Sequence, residues 1–142
     1  MTEDKEKELY EKYPKIFGQK DLPMTQTCMC WGITCSDGWY DLIDTLCRLI
    51  QSHIDHKQLP QVEAVQVKEK YGGLRFYVNH ADPYVDALID MAESMSYNTC
   101  EYCGNKGKPN DEGWITTLCD PCRKEDEAMR AARWGTSQKS ET

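Results

Sequence analysis

Four cysteines in the last third of the chain have the spacing of metal ligands. Cys100 and Cys103 form one Cys-x2-Cys pair, and Cys119 and Cys122 form a second pair after fifteen intervening residues. Zinc prefers four soft ligands at tetrahedral corners, and each pair presents two sulfurs to one ion. All four corners would be protein thiolates, so the predicted zinc site is closed to water and is structural rather than catalytic.

The residues around these cysteines predict how the site is built. Gly104 permits the tight turn after the first pair, 113–118 is predicted to be a strand, and a helix over 121–134 carries the second pair in its first turn. A knuckle, a hairpin and a helix in this order resemble a treble-clef zinc finger over residues 99–134. Residues 135–142 are predicted to be a flexible tail.

Two alternatives compete with the zinc interpretation. Four reduced core cysteines would need no metal, and a rubredoxin-like site would hold iron. The second pair is followed by Arg123 rather than by glycine, which disfavours the iron site.

The remaining cysteines and two histidines carry weaker signals. Core or partly exposed thiols are the prediction for the other cysteines, with a second zinc site or a disulfide as alternatives: Cys28, Cys30, Cys35 and Cys47. His53 and His56 are three residues apart on a predicted helix and could share a metal. Solvent and the helix dipole explain them more simply, since no His-Glu-x-x-His motif is present.

The chain lacks the residues that common catalytic sites need. A His-Asn-His nuclease requires histidines beside its metal, but no histidine follows His80. We find no glycine-rich phosphate loop, nucleophile elbow or Ser/His/Asp set. Four acidic residues could hold magnesium but are more simply a solvated helix face: Asp82, Asp86, Asp90 and Glu93. The sequence therefore does not predict an enzyme.

Hydrophobic periodicity predicts the fold of residues 1–98. Helices are predicted over 3–13, from a cap at Ser36 or Asp37 to about residue 54, and from Asp82-Pro83 through a buried stripe ending at Met95. Between the last two helices, apolar and polar residues alternate on both sides of a Gly-Gly turn, which predicts a β-hairpin. The predicted fold class is α+β, with two helices on a hairpin or small antiparallel sheet and a C-terminal treble-clef-like zinc lobe.

The hairpin is predicted to present a cationic face. Alternation places Val65, Val67, Leu74, Phe76 and Val78 inward, unless a bulge at the glycines shifts the register. The outward residues that could bind an anionic ligand are Lys68, Lys70, Tyr71, Arg75 and Tyr77. Trp31 and Trp39 are predicted to lie nearby and to offer rings for stacking. The simpler alternative is an ordinary exposed hairpin.

Composition constrains the compartment and the partners. The chain has 142 residues, eight cysteines and a formal charge of −7. No apolar run is long enough to cross a bilayer, and the charged start lacks a signal-peptide core, so we expect a cytoplasmic protein without membrane contact. The acidic balance disfavours nucleic acid. The cations that could bind nucleic acid lie in the zinc lobe: Lys106, Lys108, Arg123, Lys124, Arg130 and Arg133.

Several motifs together resemble a family of small phage and prophage proteins. They are Leu-Tyr-Glu-Lys-Tyr-Pro-Lys-Ile-Phe over 9–17, Cys-Ser-Asp-Gly-Trp-Tyr-Asp-Leu-Ile-Asp over 35–44, Lys-Glu-Lys-Tyr-Gly-Gly-Leu-Arg-Phe-Tyr over 68–77, and the two cysteine pairs. The resemblance spans nearly the whole chain. It implies a phage origin, expression in an infected bacterial host and a zinc lobe, but no catalytic residues.

These observations together predict a non-catalytic, zinc-stabilised binding protein that acts on a host system in an anti-defence role. It would sequester an anionic small molecule, such as a signalling nucleotide, or bind a host protein, and it could act as a homo-oligomer. The first alternative is a nucleic-acid-binding accessory protein in phage gene expression. The second is a metal-dependent nucleotide hydrolase.

Overall fold

The computed structural model describes the backbone of residues 1–140 and the side chains up to residue 134. Its helices are α1 (Glu3–Lys12), α2 (Tyr40–Lys57), α3 (Pro83–Ser96) and α4 (Asp120–Ser140). Its strands are β1 (Ile33–Thr34), β2 (Ala64–Lys70), β3 (Gly73–Val78), β4 (Lys108–Pro109) and β5 (Thr117–Leu118). The chain is α+β with a four-cysteine cluster in its C-terminal region, which confirms the predicted fold class.

The larger sheet has the order β1-β2-β3. Strands β2 and β3 form the predicted antiparallel hairpin, and β1 adds to β2 in the parallel direction, with Ile33 opposite Val67. We did not predict β1, because two residues are too short for a periodic signal. The smaller sheet is the β4–β5 hairpin.

The hairpin turn and its register follow from backbone conformation. Tyr71 and Gly72 both have positive φ, 54° and 80°, as a two-residue turn of the I′ kind requires. A bulge does occur, but it lies between Ala64 and Gln66 and not at the glycines. Val65 is consequently half-buried instead of facing fully inward, whereas Val67 is buried as predicted.

Helix α2 begins later than predicted. A 3₁₀ turn over Asp37–Trp39 precedes it, and α2 has no side-chain cap. The Asp37 carboxylate instead accepts hydrogen bonds from the backbone N–H and hydroxyl of Thr2, at 2.8 and 2.9 Å. Asp37 therefore holds the segment before α1 against the start of α2.

Helix α3 begins as predicted, but one of its predicted core residues is exposed. The Asp82 carboxylate accepts a hydrogen bond from the Val85 N–H at 2.8 Å, with proline in the first turn. Met95 is 48% exposed, so its predicted burial is wrong. It lies at the rim of an apolar groove of about 230 Å³ between α2 and α3.

The core lies between the large sheet and helices α1, α2 and α3. Phe17 from the segment after α1 meets Phe76 of β3 edge-to-face, with ring centroids 6.4 Å apart. Trp39 is fully buried. The prediction that Trp39 offers a ring to a ligand is therefore wrong, because its indole is part of the core.

Helix α4 continues six residues past the predicted end at Trp134. Residues 141 and 142 of the predicted flexible tail lie outside the described residues. Among helices α1 to α4 as described, none combines the length and apolar character that crossing a bilayer demands.

Candidate metal centre and the groove beside it

The four predicted ligand cysteines converge on one point. Their Sγ atoms all lie within 4.8 Å of one another, and those of Cys103 and Cys119 are 3.6 Å apart. Four sulfurs about 2.3 Å from a central ion would be separated by about 3.8 Å at tetrahedral corners. The donor set and its spacing therefore fit a metal ion with four thiolate ligands.

Local backbone geometry brings the sulfurs together. Gly104 has a φ of 82°, and its N–H donates to the Cys100 carbonyl at 2.9 Å, which closes the knuckle. Cys119 precedes α4 and Cys122 lies in its first turn, where the Arg123 N–H donates to the Cys119 carbonyl. Strand β5 is shorter than predicted, and residues 113–115 form a loop.

The pKa values of the clustered thiols are shifted by their surroundings and by one another. Burial raises the pKa of Cys100, but hydrogen bonds from backbone N–H groups, including those of Cys119 and Cys103, outweigh it and lower this pKa to about 7. Burial and the adjacent sulfurs raise the pKa of Cys122. Adjacent thiolates repel one another, and a bound cation relieves that repulsion. The cluster therefore has the electrostatics of a cation site.

The cysteine cluster is attached to the core by partly buried hydrogen bonds. The Trp39 indole donates to the Thr99 carbonyl at 2.9 Å, and the Ser36 N–H donates to the Glu101 carboxylate at 3.0 Å. Glu101 is 7% exposed, and this burial raises its pKa. These contacts cross the predicted boundary between residues 98 and 99, so the lobe and the core pack as neighbours.

A second set of contacts joins the lobe to the tip of the large hairpin. The Thr117 hydroxyl donates to the Gly72 carbonyl at 2.6 Å. A Cβ on Gly72 would lie 3.0 Å from the Ile115 side chain. Gly72 thus serves packing against the lobe as well as chain reversal, whereas a Cβ on Gly73 would overlap the Tyr97 ring at the end of α3.

A groove of about 440 Å³ lies where the hairpin meets the lobe. The hairpin contributes Lys68, Glu69, Lys70 and Tyr71, and the lobe contributes the loop over 113–115. Tyr71 and Trp114 are 68% and 72% exposed. Cationic side chains and solvent-exposed aromatic rings therefore line the same groove.

The structure places the five predicted ligand residues in two locations. Lys68, Lys70 and Tyr71 line this groove. Arg75 and Tyr77 line a separate cleft against α3, where Arg75 forms an ion pair with Glu93 and donates to the Tyr97 hydroxyl at 3.3 Å. The role of all five in ligand binding stays a prediction.

Sequence reasoning missed Trp114 as a groove residue. We assigned it to a strand, yet it stands in the polar loop between β4 and β5. A large aromatic side chain beside Gly113 in a stretch of Asn, Asp and Glu was the available signal. Its proximity to Tyr71 could not be inferred, because 43 residues separate them in the chain.

The other cysteines do not gather into a second cluster. Among the described residues, the four-cysteine group is the one set of three or more histidine, cysteine or acidic side chains placed to share a metal ion. Cys35 and Cys47 are buried, which raises the pKa of both, to about 12 for Cys35. Cys28 and Cys30 are exposed free thiols.

His53 has a structural partner. Its Nε2 lies 2.7 Å from the Asp82 carboxylate, and its ring stacks on Tyr84 at 4.1 Å. Asp82 is also the cap of α3, so this contact joins the end of α2 to the start of α3. Two of the four acidic residues considered for magnesium therefore have other partners: Asp82 pairs with His53, and Glu93 pairs with Arg75.

Two of the lobe's six cations are engaged internally. Arg123 donates to the carbonyl oxygens of Lys108 and Thr116, at 2.7 and 3.1 Å. Arg130 forms an ion pair with Asp126 at 3.0 Å. The hydrogen bonds occupy donors of Arg123, and the ion pair offsets the charge of Arg130, so both offer less to a phosphate backbone.

No family model, no curated protein and no solved structure matches this chain.

Proposed function

We propose that this protein is a non-catalytic binder that sequesters an anionic small molecule and is stabilised by structural zinc. The observation that carries the proposal is the groove in which Lys68, Lys70 and Tyr71 meet the metal lobe. Two ammonium groups on one wall suit a ligand with phosphate or carboxylate groups.

The charges around the groove support an anionic ligand. Among the side chains that the structure describes up to residue 134, neither Lys68 nor Lys70 forms an ion pair with a carboxylate, and Lys70 lies 5.5 Å from the ring centre of Tyr71. Glu69 contributes one opposing charge to the lining. Arg75 is neutralised by Glu93, so we assign it a smaller part in binding than the two lysines.

Zinc is the metal we propose for the four-cysteine centre. Four thiolates at tetrahedral spacing suit zinc, and the fully protein-ligated set leaves no position for a reacting water. Cys100, Cys103, Cys119 and Cys122 would hold the ion and fix the knuckle to α4. When bound, zinc supplies cross-linking of the fold rather than chemistry on a substrate.

The setting that we propose is the cytoplasm of a phage-infected bacterium, with the ligand withdrawn from a host defence system. This part of the proposal is supported by the motif resemblance alone. Binding to a host protein is the other form of the same proposal. Native mass spectrometry of the protein purified from cells would count zinc ions, subunits and any retained small molecule.

The test is calorimetric titration of the full-length, zinc-loaded protein with inorganic triphosphate at low salt. We expect saturable binding that weakens at least about tenfold in the double variant Lys68→Ala, Lys70→Ala, because each removed contact is charge-assisted. Lys15→Ala, at an exposed lysine elsewhere on the chain, is the matched control and should bind as the wild type does. Arg75→Ala should have the smaller effect.

Equal affinity in the double variant and the wild type would show that the groove is not the site. A salt-sensitive gel shift that depends on Lys106, Lys108 and Lys124 would instead favour the nucleic-acid alternative. Turnover of a nucleotide with added magnesium or manganese would favour the hydrolase alternative.

A further inference from the structure

The loop that carries Trp114 is braced by one side chain. The Asn110 amide nitrogen donates to the carbonyl oxygens of Glu112 and Trp114, at 2.6 and 2.9 Å, and its amide oxygen accepts from the Thr116 N–H at 2.8 Å. Three hydrogen bonds from one residue define the loop's conformation. Trp114 is therefore held in place while its indole stays open to solvent.

A second brace comes from α4. Arg123, the residue after the metal ligand Cys122, donates to the Lys108 carbonyl and to both the hydroxyl and the carbonyl of Thr116, at 2.7 to 3.2 Å. These bonds connect the base of the Trp114 loop to the helix that carries the second cysteine pair. The position of the indole thus depends on the metal lobe being folded.

The hairpin side of the groove is also fixed. Tyr71 adopts a positive φ of 54° at the hairpin turn, and the following Gly72 is packed against the lobe. The Tyr71 ring is 68% exposed, and it lies next to the two lysines of the groove. Burying two large exposed rings on fixed backbone would cost little conformational entropy, which favours their use in binding.

We infer that the groove recognises a planar heterocyclic ring together with phosphate, so that the ligand class is a nucleoside phosphate. Trp114 provides the stacking surface, Tyr71 a second aromatic surface on the hairpin side, and Lys68 and Lys70 the phosphate contacts. This inference rests on the proposed function and extends it, because anion binding alone needs the lysines but not the indole. A groove of about 440 Å³ lies within the size range of small-molecule sites.

The test compares ribonucleoside triphosphates with inorganic triphosphate on the full-length, zinc-loaded protein. Base stacking on an aromatic side chain is worth about 1–3 kcal/mol, so at least one nucleoside triphosphate should bind about tenfold or more tightly than triphosphate. Trp114→Ala should remove this advantage and leave the triphosphate affinity unchanged. Trp114→Phe should restore part of it.

Two further variants separate stacking from loss of structure. Trp31, which was also predicted to offer a stacking ring, is exposed but does not line the groove, so Trp31→Ala should leave all affinities unchanged. Asn110→Ala removes the brace, and we expect it to weaken nucleotide binding more than triphosphate binding, because Asn110 acts as a positioning residue for the indole. Circular dichroism and zinc content would confirm that each variant is folded.

The outcomes distinguish the two proposals. If triphosphate and all nucleotides bind equally tightly, and Trp114→Ala changes neither, the ring inference is overturned while the anion-binding function stands. If folded, zinc-loaded protein binds none of these compounds, both the inference and the groove-based function are wrong.

Discussion

The Cα of Gly38 lies against the carbonyl oxygen of Cys100, the first cysteine of the metal centre. A Cβ built on Gly38 would overlap that oxygen and the neighbouring Glu101 carbonyl. The Gly38 N–H meanwhile donates to the Glu101 carbonyl at 2.7 Å. Close backbone approach thus positions the cysteine knuckle on the turn before α2.

Gly38→Ala should therefore disturb both the fold and the metal centre. We expect the free energy of unfolding to fall by about 1–3 kcal/mol, the usual cost of inserting a methyl group into a packed contact. We also expect faster metal loss to a chelator, because the knuckle must shift. Urea unfolding and a colorimetric metal-release assay measure the two effects.

Gly113→Ala is the matched control. Gly113 has a φ of 73° and no atom within 4 Å of a built Cβ, so its substitution carries the conformational cost of a left-handed residue without a clash. Stability should fall by about 1–2 kcal/mol, with metal release unchanged. Equal release rates in Gly38→Ala and the wild type would contradict the packing explanation.

The metal stoichiometry should depend on four cysteines and not on the exposed thiols. Cys100→Ser should lose the ion, since a neutral hydroxyl replaces one of four thiolates. Cys30→Ser, at an exposed thiol outside the cluster, should retain one ion per chain. Native mass spectrometry counts the bound metal. Metal retained in Cys100→Ser at the wild-type ratio would refute the assignment.

Trp39 should contribute to stability through its indole N–H. Trp39→Phe leaves the Thr99 carbonyl without its donor and removes volume from the core, so we expect a loss of about 1–3 kcal/mol in urea unfolding. Trp31→Phe, at a 64% exposed position, should cost less than about 0.5 kcal/mol. Similar losses in the two variants would argue against the Trp39–Thr99 bond.

Acid should weaken the junction between α2 and α3. The hydrogen bond from His53 and the Val85 N–H lower the pKa of Asp82 below its ordinary value of 3.8. A lowered folded-state pKa adds stability above the ordinary value, and that stability is lost as pH falls through the folded-state value. Asp82→Asn keeps a capping side chain but removes this titration.

The measurement is urea unfolding at several pH values between 6 and about 3. The stability difference between wild type and Asp82→Asn should shrink as pH falls. Asp86→Asn removes a carboxylate from the same helical turn without breaking a side-chain hydrogen bond, and it should follow the wild-type profile. A constant difference between wild type and Asp82→Asn across the range would exclude the proposed linkage.

The sequence predicted those features that depend on neighbours along the chain. The cysteine pairs, the cap at Asp82 and the Gly-Gly hairpin each place their determinants within a few residues of one another. Local chemistry therefore sufficed to predict which four cysteines cluster, where α3 starts and that β2 pairs with β3.

Features that depend on distant contacts were not predictable. The Asp37 carboxylate would have made a good helix cap, but Thr2 offers it two donors from far along the chain. Arg75 was predicted to face a ligand, whereas Glu93 from α3 lies beside it. The groove itself joins Tyr71 to Trp114, and no periodic pattern reports such proximity.

Helix α4 has uneven support along its length. Its 21 residues extend about 31 Å. Among the side chains of this helix that the structure describes, up to Trp134, the half-buried ones lie in the first two turns and end at Asp126, which accepts a hydrogen bond from Tyr102 at 3.0 Å. Every described side chain from Glu127 to Trp134 is exposed. Helical segments that bury little surface are marginal in water. Amide hydrogen exchange should therefore be slow near the cysteines and increase steeply within a single helix, so that one element reports both the integrity of the cysteine cluster and the intrinsic stability of an exposed helical segment.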